Sequence, residues 1–148
     1  MKQLTVNEYL NILEDNDMPI YNLTFNMQIL TYALGRQLRC NSNELKSLYS
    51  VSSLYYLNEY NFDDINSEDI KLIKKTKTFL NSKNINFLKQ KMELIIFICS
   101  CYNDLRKEKV DHNETMNIIL NHERIPVIVK NAFKEIINKD NLYKDLLF

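Results

Sequence analysis

The chain has 148 residues with 45% hydrophobic content, and its 19 Lys and Arg balance 19 Asp and Glu. This length suits one domain with a substantial core, and the composition excludes wholesale disorder. The sequence shows neither the basic excess of a general nucleic-acid binder nor, with Gly35 as its single glycine, a glycine-rich nucleotide loop.

The first two predicted helices are separated by a break at residues 16–19. Thr5 and Glu8 have the spacing of a capping box, and they begin a short helix that runs to about Asp15. Apolar residues then recur at three- and four-residue intervals, which predicts a second helix over residues 22–39.

Two more helices follow polar links. Ser42 is expected to cap a third helix over residues 43–59, and either Asn66 or Ser67 opens a fourth. One edge of the fourth helix is basic, and it is interpreted either as a solvated face or as an anion site. The basic residues are Lys71, Lys74, Lys75 and Lys77.

The most apolar stretch lies within residues 85–107. From Leu94 to Cys99 no side chain is strongly polar, so a helix there must be covered on all sides. The apolar block is too short to span a bilayer, which needs about 20 such residues. We therefore expect a central, buried helix and no membrane span.

The last third of the chain predicts two helices and a tail. Asp111 and Glu114 again have capping-box spacing, and their helix ends near Asn121. Pro126 suits the first position of the next helix. Residues 142–148 form a final turn whose apolar end either docks on the bundle or meets a partner. The whole pattern predicts an all-α single domain, residues 1–148, of about seven helices around a buried central helix.

No set of reactive side chains emerges from the sequence. His112 and His122 lie near opposite ends of one short predicted helix, so they are expected to face solvent rather than share a metal. Cys99 and Cys101 lie in the most apolar stretch, where the charged thiolate is destabilised, so they are interpreted as small core residues. We predict no catalytic residue, metal or cofactor. The unpaired cysteines and a start without a signal-like run predict a cytoplasmic location.

A cluster of aromatic residues marks the end of the third helix and the link after it. Such residues either pack the bundle or form an interaction surface, because aromatic side chains are enriched in binding hot spots. Tyr55 and Tyr56 are adjacent on the helix, so they face different directions. The predicted interaction residues are Tyr55, Tyr56, Tyr60 and Phe62.

Several segments resemble the HD-GYP branch of the HD-domain phosphohydrolases, in order and in pattern. Residues 36–57, RQLRCNSNELKSLYSVSSLYYL, are similar to the region that ends in the family's His-Asp pair. INSEDIKLIKK at 65–75 is similar to the helix that follows the pair, and MELIIFICSCYNDL at 92–105 to the long core helix. VDHNETMNIIL at 110–120 is similar to the first of the family's closing pair of helices. The resemblance covers about residues 8–137 and implies an HD-domain-like fold.

The same resemblance implies that the metal ligands are gone. The positions of the family's ligands fall on Leu23, Tyr55, Tyr56, Thr76 and Ser100, and the segment with the Gly-Tyr-Pro loop is missing. None of these side chains suits a catalytic di-iron site. The resemblance therefore implies a degenerate member, a pseudoenzyme that keeps the helices and lacks the hydrolysis of cyclic dinucleotides.

Three functions stay open at this point. The first is a non-catalytic regulatory or protein-interaction module, which binds a protein partner or forms a homodimer. The second is a viral-style helical bundle resembling B-cell-lymphoma-type apoptosis regulators, which bind an amphipathic helix in a groove. That family's Asn-Trp-Gly-Arg motif has no counterpart here, since the chain lacks tryptophan. The third is an unrecognised metal-dependent phosphohydrolase.

Overall fold

A computed structural model describes residues 4–57, 66–77, 87–139 and 141–148 of the chain. Within these ranges every regular element is helical, which confirms the all-α prediction. Seven α-helices are followed by a short 3-10 helix at Leu142–Asp145. The α-helices are α1 Val6–Asn16, α2 Met18–Gln37, α3 Ser42–Leu54, α4 Ser67–Lys77, α5 Phe87–Lys107, α6 His112–Leu120 and α7 Val127–Lys139.

The predicted caps of α1 and α6 are confirmed. The hydroxyl of Thr5 accepts a hydrogen bond from the backbone of Glu8 at 3.2 Å, and the Glu8 carboxylate accepts from the Thr5 backbone at 3.1 Å. Asp111 accepts from the backbone N–H of Glu114 at 2.8 Å. These bonds satisfy backbone donors that the first turn of a helix leaves without a partner.

The break between α1 and α2 is narrower than predicted. The second helix begins at Met18, because Asp17 caps it by accepting from the Ile20 backbone at 3.4 Å. Pro19 lies in the first turn, where its missing N–H removes no intrahelical bond. At α7 the order is different, since Pro126 precedes the helix instead of being its first residue.

The cap of α3 also differs from the prediction. Asn41, not Ser42, accepts from the Glu44 backbone at 2.8 Å, and the Glu44 carboxylate accepts from the Asn41 backbone at 2.9 Å. The helix ends at Leu54, and Tyr55 and Tyr56 form a turn. The predicted continuation through residues 58–59 lies outside the described residues.

The central helix is α5, as predicted. All six residues from Leu94 to Cys99 are buried, because α2, α3, α4, α6 and α7 all pack against this helix. Full burial of an aliphatic side chain contributes about 1.5–3 kcal/mol relative to exposure. This segment therefore anchors the core that positions the other helices.

The hairpin of α2 and α3 has a close contact at the single glycine. A Cβ on Gly35 would lie 2.8 Å from Cδ1 of Leu48 and 3.1 Å from Cδ2 of Leu45. One or two turns away, the hydroxyls of Thr31 and Ser52 are 2.7 Å apart and fully buried. Each hydroxyl also lies 2.7 Å from the carbonyl oxygen four residues before it, so the two hydroxyl protons are shared among three close oxygen pairs and neither buried hydroxyl lacks a partner.

The C-terminal tail docks on the bundle. The side chain of Leu146 is buried, and the backbone carbonyl of Leu147 accepts from Asn26 Nδ2 of α2 at 2.6 Å. The guanidinium of Arg106 lies 5.2 Å from the centroid of the Phe148 ring. Among the described helices none is both long and apolar enough to cross a membrane.

Candidate functional site

Two of the predicted interaction residues form one corner of the bundle at the end of α3. The rings of Tyr55 and Tyr56 meet edge to face with centroids 5.1 Å apart, and both side chains are half-buried. The ammonium of Lys77, the last residue of α4, lies 5.0 Å from the Tyr55 centroid, within cation–π range. Tyr60 and Phe62, the other two predicted residues, lie outside the described residues.

The Tyr56 hydroxyl is fixed by two residues of α5. It donates to Oδ1 of Asp104 at 2.7 Å and accepts from Nδ2 of Asn103 at 3.0 Å. Burial and the neighbouring Asp104 carboxylate both raise the pKa of Tyr56, so the phenol stays protonated. The hydroxyl is therefore a fixed donor and not a base.

Asn103 connects this corner to α2 and to the C-terminal tail. Its Nδ2 also donates to the backbone carbonyl of Leu23 at 2.9 Å, and its Oδ1 accepts from Asn26 Nδ2 at 3.2 Å. Asn26 in turn donates to the carbonyl of Leu147. Both amides are essentially inaccessible to solvent. We call Asn26, Asn103, Tyr56 and Asp104 the amide–tyrosine chain.

Asp104 is the solvent-facing end of the amide–tyrosine chain. Loss of solvent raises the pKa of its carboxyl group, while the hydrogen bond from Tyr56 and the nearby Lys107 oppose that rise. The carboxylate stays exposed, so a partner can reach it. Together with Lys77 over Tyr55, it places one anionic and one cationic group beside the two rings.

Of the three remaining positions at which the resemblance expects ligands, Leu23 is a buried apolar residue, and the other two carry internally bonded hydroxyls. Thr76 donates to the carbonyl of Leu72 at 2.8 Å, and Ser100 donates to the carbonyl of Phe97 at 2.9 Å. Both side chains are buried. Ser100 lies one turn before Asn103 on α5, and Thr76 directly precedes Lys77 on α4.

The two histidines are not the solvent-facing residues that the sequence suggested. Nδ1 of His112 lies 3.0 Å from the Tyr102 hydroxyl, and its ring stacks on Tyr143 at 3.7 Å. His122 lies edge to face on Phe97, with centroids 5.6 Å apart. Burial, followed by nearby cations, lowers the pKa of both histidines.

The cysteines lie where the sequence predicted them, in or beside the core. Cys99 is buried and Cys101 is half-buried. Burial raises the pKa of the Cys101 thiol to about 12, and it raises the pKa of Cys99 as well. Within the described ranges, no three His, Cys, Asp or Glu side chains come together in a group that could hold a metal ion.

Sequence reasoning missed Asn26, Asn103 and Asp104. Asn26 and Asn103 could have been identified from the sequence, because each is a polar residue at a position where the helical periodicity expects an apolar one. Asn26 shares the buried side of α2 with Leu23 and Leu30, and Asn103 follows the apolar block of α5. A polar residue at such a position must find a buried partner.

Comparison with family models, with curated protein sequences and with solved structures gives no match to this chain. The corner formed by α3, α4 and α5 is therefore interpreted from its own geometry.

Proposed function

We propose that this chain is a non-catalytic protein-interaction module built on a degenerate HD-type helical fold. Its partner-binding surface is the corner formed by Tyr55 and Tyr56 with their charged neighbours Lys77 and Asp104. The observation that carries the proposal is the paired tyrosine rings, half-buried and held in place by residues of two other helices.

The physical support is the combination of rigidity and residue type. A side chain fixed before binding loses little rotamer entropy when a partner arrives, and the Tyr56 hydroxyl is already held between Asn103 and Asp104. Tyrosine offers a large apolar face with a polar end, which explains its enrichment in binding hot spots. The flanking cation and anion would orient the partner and raise its association rate.

The hydroxyls at the corner also support a non-catalytic role. The hydroxyls of Tyr56, Thr76 and Ser100 each donate to an internal acceptor. A nucleophilic hydroxyl is activated by donating to a general base, and the backbone carbonyls that accept from Thr76 and Ser100 cannot take up a proton, while the raised pKa of Tyr56 disfavours its phenolate.

The test is affinity capture from cells that produce the protein, with Tyr55→Ala as the variant. Loss of the Tyr55 ring removes one of the two rings of the corner and leaves the Tyr56 hydrogen bonds intact, so the captured partner should be lost. Ile118→Ala, which trims an exposed apolar side chain of α6, is the matched control and should retain the partner. Equal capture by both variants refutes the proposed surface.

Metal analysis and a phosphodiesterase assay on the same preparation test the non-catalytic assignment. Stoichiometric bound metal together with turnover of a cyclic dinucleotide would contradict it and would favour the metal-dependent phosphohydrolase.

A second candidate function rests on a shallow hollow between the end of α2 and the start of α7. The hollow encloses about 460 Å³, and its apolar lining includes Leu38, Phe87, Ile128 and Ala132. On its rim Gln37 donates to Glu135 at 2.6 Å. A hollow of this size accepts one or two apolar side chains of an amphipathic helix, as in the groove-binding apoptosis regulators.

Titration with a labelled amphipathic helical peptide separates the two candidates. Ile128→Lys places a charge in the hollow and should abolish binding by the groove mode, while Ile118→Lys should not. Failure of the parent chain to bind any such peptide removes this second candidate and leaves the tyrosine corner.

A further inference from the structure

The outward side of α2 carries a regular apolar stripe. Met18, Phe25 and Tyr32 are 49%, 48% and 54% exposed, and they are spaced seven residues apart. On an α-helix this spacing places them in one line about 21 Å long. The line is opposite the buried side of α2, which is defined by Leu23, Leu30 and their neighbours.

The positions between these three residues complete a heptad seam. Asn22 and Ile29 are half-buried and Arg36 is exposed, and together the six residues alternate at four- and three-residue steps. This is the spacing with which one helix packs along another. We call Met18, Asn22, Phe25, Ile29, Tyr32 and Arg36 the α2 seam.

The composition of α2 is that of an interface. Arg36 is the single charged residue among its 20. Interface cores are depleted of charge and enriched in aromatic residues, Met and Arg, whereas an ordinary solvated helix face carries several Lys and Glu. The seam therefore carries the composition of a contact surface.

The charges at the two ends of α2 identify the occupant. Just before the helix lie Glu14, Asp15 and Asp17, and at its far end lie Arg36 and Arg39. Within the described ranges neither arginine forms an ion pair with a carboxylate, and Arg36 instead donates to the Tyr32 hydroxyl at 3.3 Å. An antiparallel second copy would place each basic end against an acidic end.

We propose that the chain forms a two-fold symmetric homodimer in which the α2 seams of two copies pack antiparallel. In this arrangement Phe25 of one copy lies against Ile29 of the other, and Asn22 lies against Tyr32. A two-fold axis makes these contacts twice, as an isologous interface requires. This inference is independent of the tyrosine corner, which lies at the end of α3.

The available area sets the expected strength. Aromatic side chains cover about 150–250 Å² each, so half-exposed Phe25 and Tyr32 offer on the order of 200 Å² per copy, to which Met18 adds its own exposed half. Tyr49 of α3 lies beside Tyr32 around a shallow hollow and adds a further exposed ring. With the flanking seam residues, the total over two copies approaches the roughly 1,000 Å² expected of a specific interface. The dimer is therefore reversible and concentration-dependent.

Light scattering and sedimentation velocity over micromolar to submillimolar concentrations test the proposal. The parent mass should rise from 17.7 kDa towards twice that value. Phe25→Glu places charges at the middle of the seam and should weaken the dimer at least about tenfold. Val127→Glu, on an exposed apolar residue of α7, is the control and should dimerise like the parent. A parent that stays monomeric throughout, or a Phe25→Glu dimer of parental strength, overturns the proposal.

Charge reversal tests the antiparallel arrangement. The doubly reversed variant Arg36→Glu with Arg39→Glu should dimerise weakly, and so should Glu14→Lys with Asp15→Lys. An equimolar mixture of the two should regain association as a heterodimer, because the reversed ends are again complementary. A mixture no tighter than either variant alone refutes the antiparallel register. Tyr56→Phe should leave the dimer unchanged, which separates this proposal from the function of the tyrosine corner.

Discussion

Replacing Asn103 by leucine should be among the most destabilising polar substitutions in this chain. The side chain is fully buried, and it takes part in three hydrogen bonds to Leu23, Tyr56 and Asn26. Each such bond contributes about 1 kcal/mol net, so Asn103→Leu should lower the free energy of unfolding by about 3 kcal/mol. Leucine branches like asparagine but is larger, so it leaves no cavity, and any overpacking in this fully buried position adds to the figure.

The double variant Asn26→Leu with Asn103→Leu tests whether the two buried amides stabilise the fold as a pair. Asn26→Leu loses the bonds to Asn103 and to the Leu147 carbonyl, for about 2 kcal/mol. With both amides replaced, no buried amide is left facing an apolar partner. The combined cost should therefore be smaller than the sum of the single costs by about 1 kcal/mol or more.

The assay is urea unfolding followed by circular dichroism at constant pH, with the free energy obtained by linear extrapolation. Asn113→Leu, an exposed asparagine at the start of α6, serves as the control and should change stability by less than about 0.5 kcal/mol. If Asn103→Leu behaves like this control, or if the two single costs add within about 0.5 kcal/mol, the amide–tyrosine chain does not hold the bundle together.

Three further outcomes follow from burial, close packing and charge. Ile96→Asp should abolish cooperative unfolding, because it buries a charge without a partner in α5, while Ile118→Asp on the exposed side of α6 should still unfold cooperatively. Gly35→Ala should lower the free energy of unfolding by about 1 kcal/mol, since overpacking against Leu48 outweighs the gain in helix propensity, and an increase would contradict that balance. Stability should fall as the pH drops below about 6.5, because the lowered pKa of His112 in the fold lets the unfolded chain bind the proton first. His112→Gln should reduce that dependence in urea unfolding at pH 7.5 and 5.5 and leave the part that His122 contributes, and an unchanged slope would contradict the role of His112.

The elements that the sequence predicted well are those specified by local chemistry. The capping box of Thr5 and Glu8 and the cap at Asp111 involve residues three positions apart, so their spacing is visible in the chain. The apolar block of α5 needs no partner to be recognised as buried. The error at the start of α3 arose because the adjacent Asn41 and Ser42 both suit a cap, and only backbone geometry selects between them. The predicted start of α2 is too late because residues 16–19 have the pattern of a break, although Pro19 is accommodated in the first turn of the helix.

The candidate site was predicted only in part, because its decisive contacts are distant in sequence. Tyr55 and Tyr56 stood out by residue type, but the hydroxyl of Tyr56 finds its partners 47 and 48 positions further along the chain. Likewise, Asn26 bonds a side chain 77 positions away and a carbonyl 121 positions away. A polar residue on the apolar side of a helix predicts that a buried hydrogen-bond partner exists, but only the fold shows which residue that partner is.

The arrangement of these contacts has a consequence for how the tyrosine corner would respond to a partner. Asn103 bonds both the Tyr56 hydroxyl and a carbonyl of α2, while Asn26 of α2 bonds the docked C-terminal tail. A partner that pulls the Tyr56 hydroxyl away from Asp104 would leave a donor of Asn103 unsatisfied in the core, at a cost of about 1–3 kcal/mol. A partner should therefore bind the corner in its present conformation, in which the Tyr56 hydroxyl keeps its hydrogen bonds and both rings keep their positions. Tight binding that requires Tyr56 to rotate out, seen as loss of its hydroxyl contacts in a complex, would contradict a preformed surface.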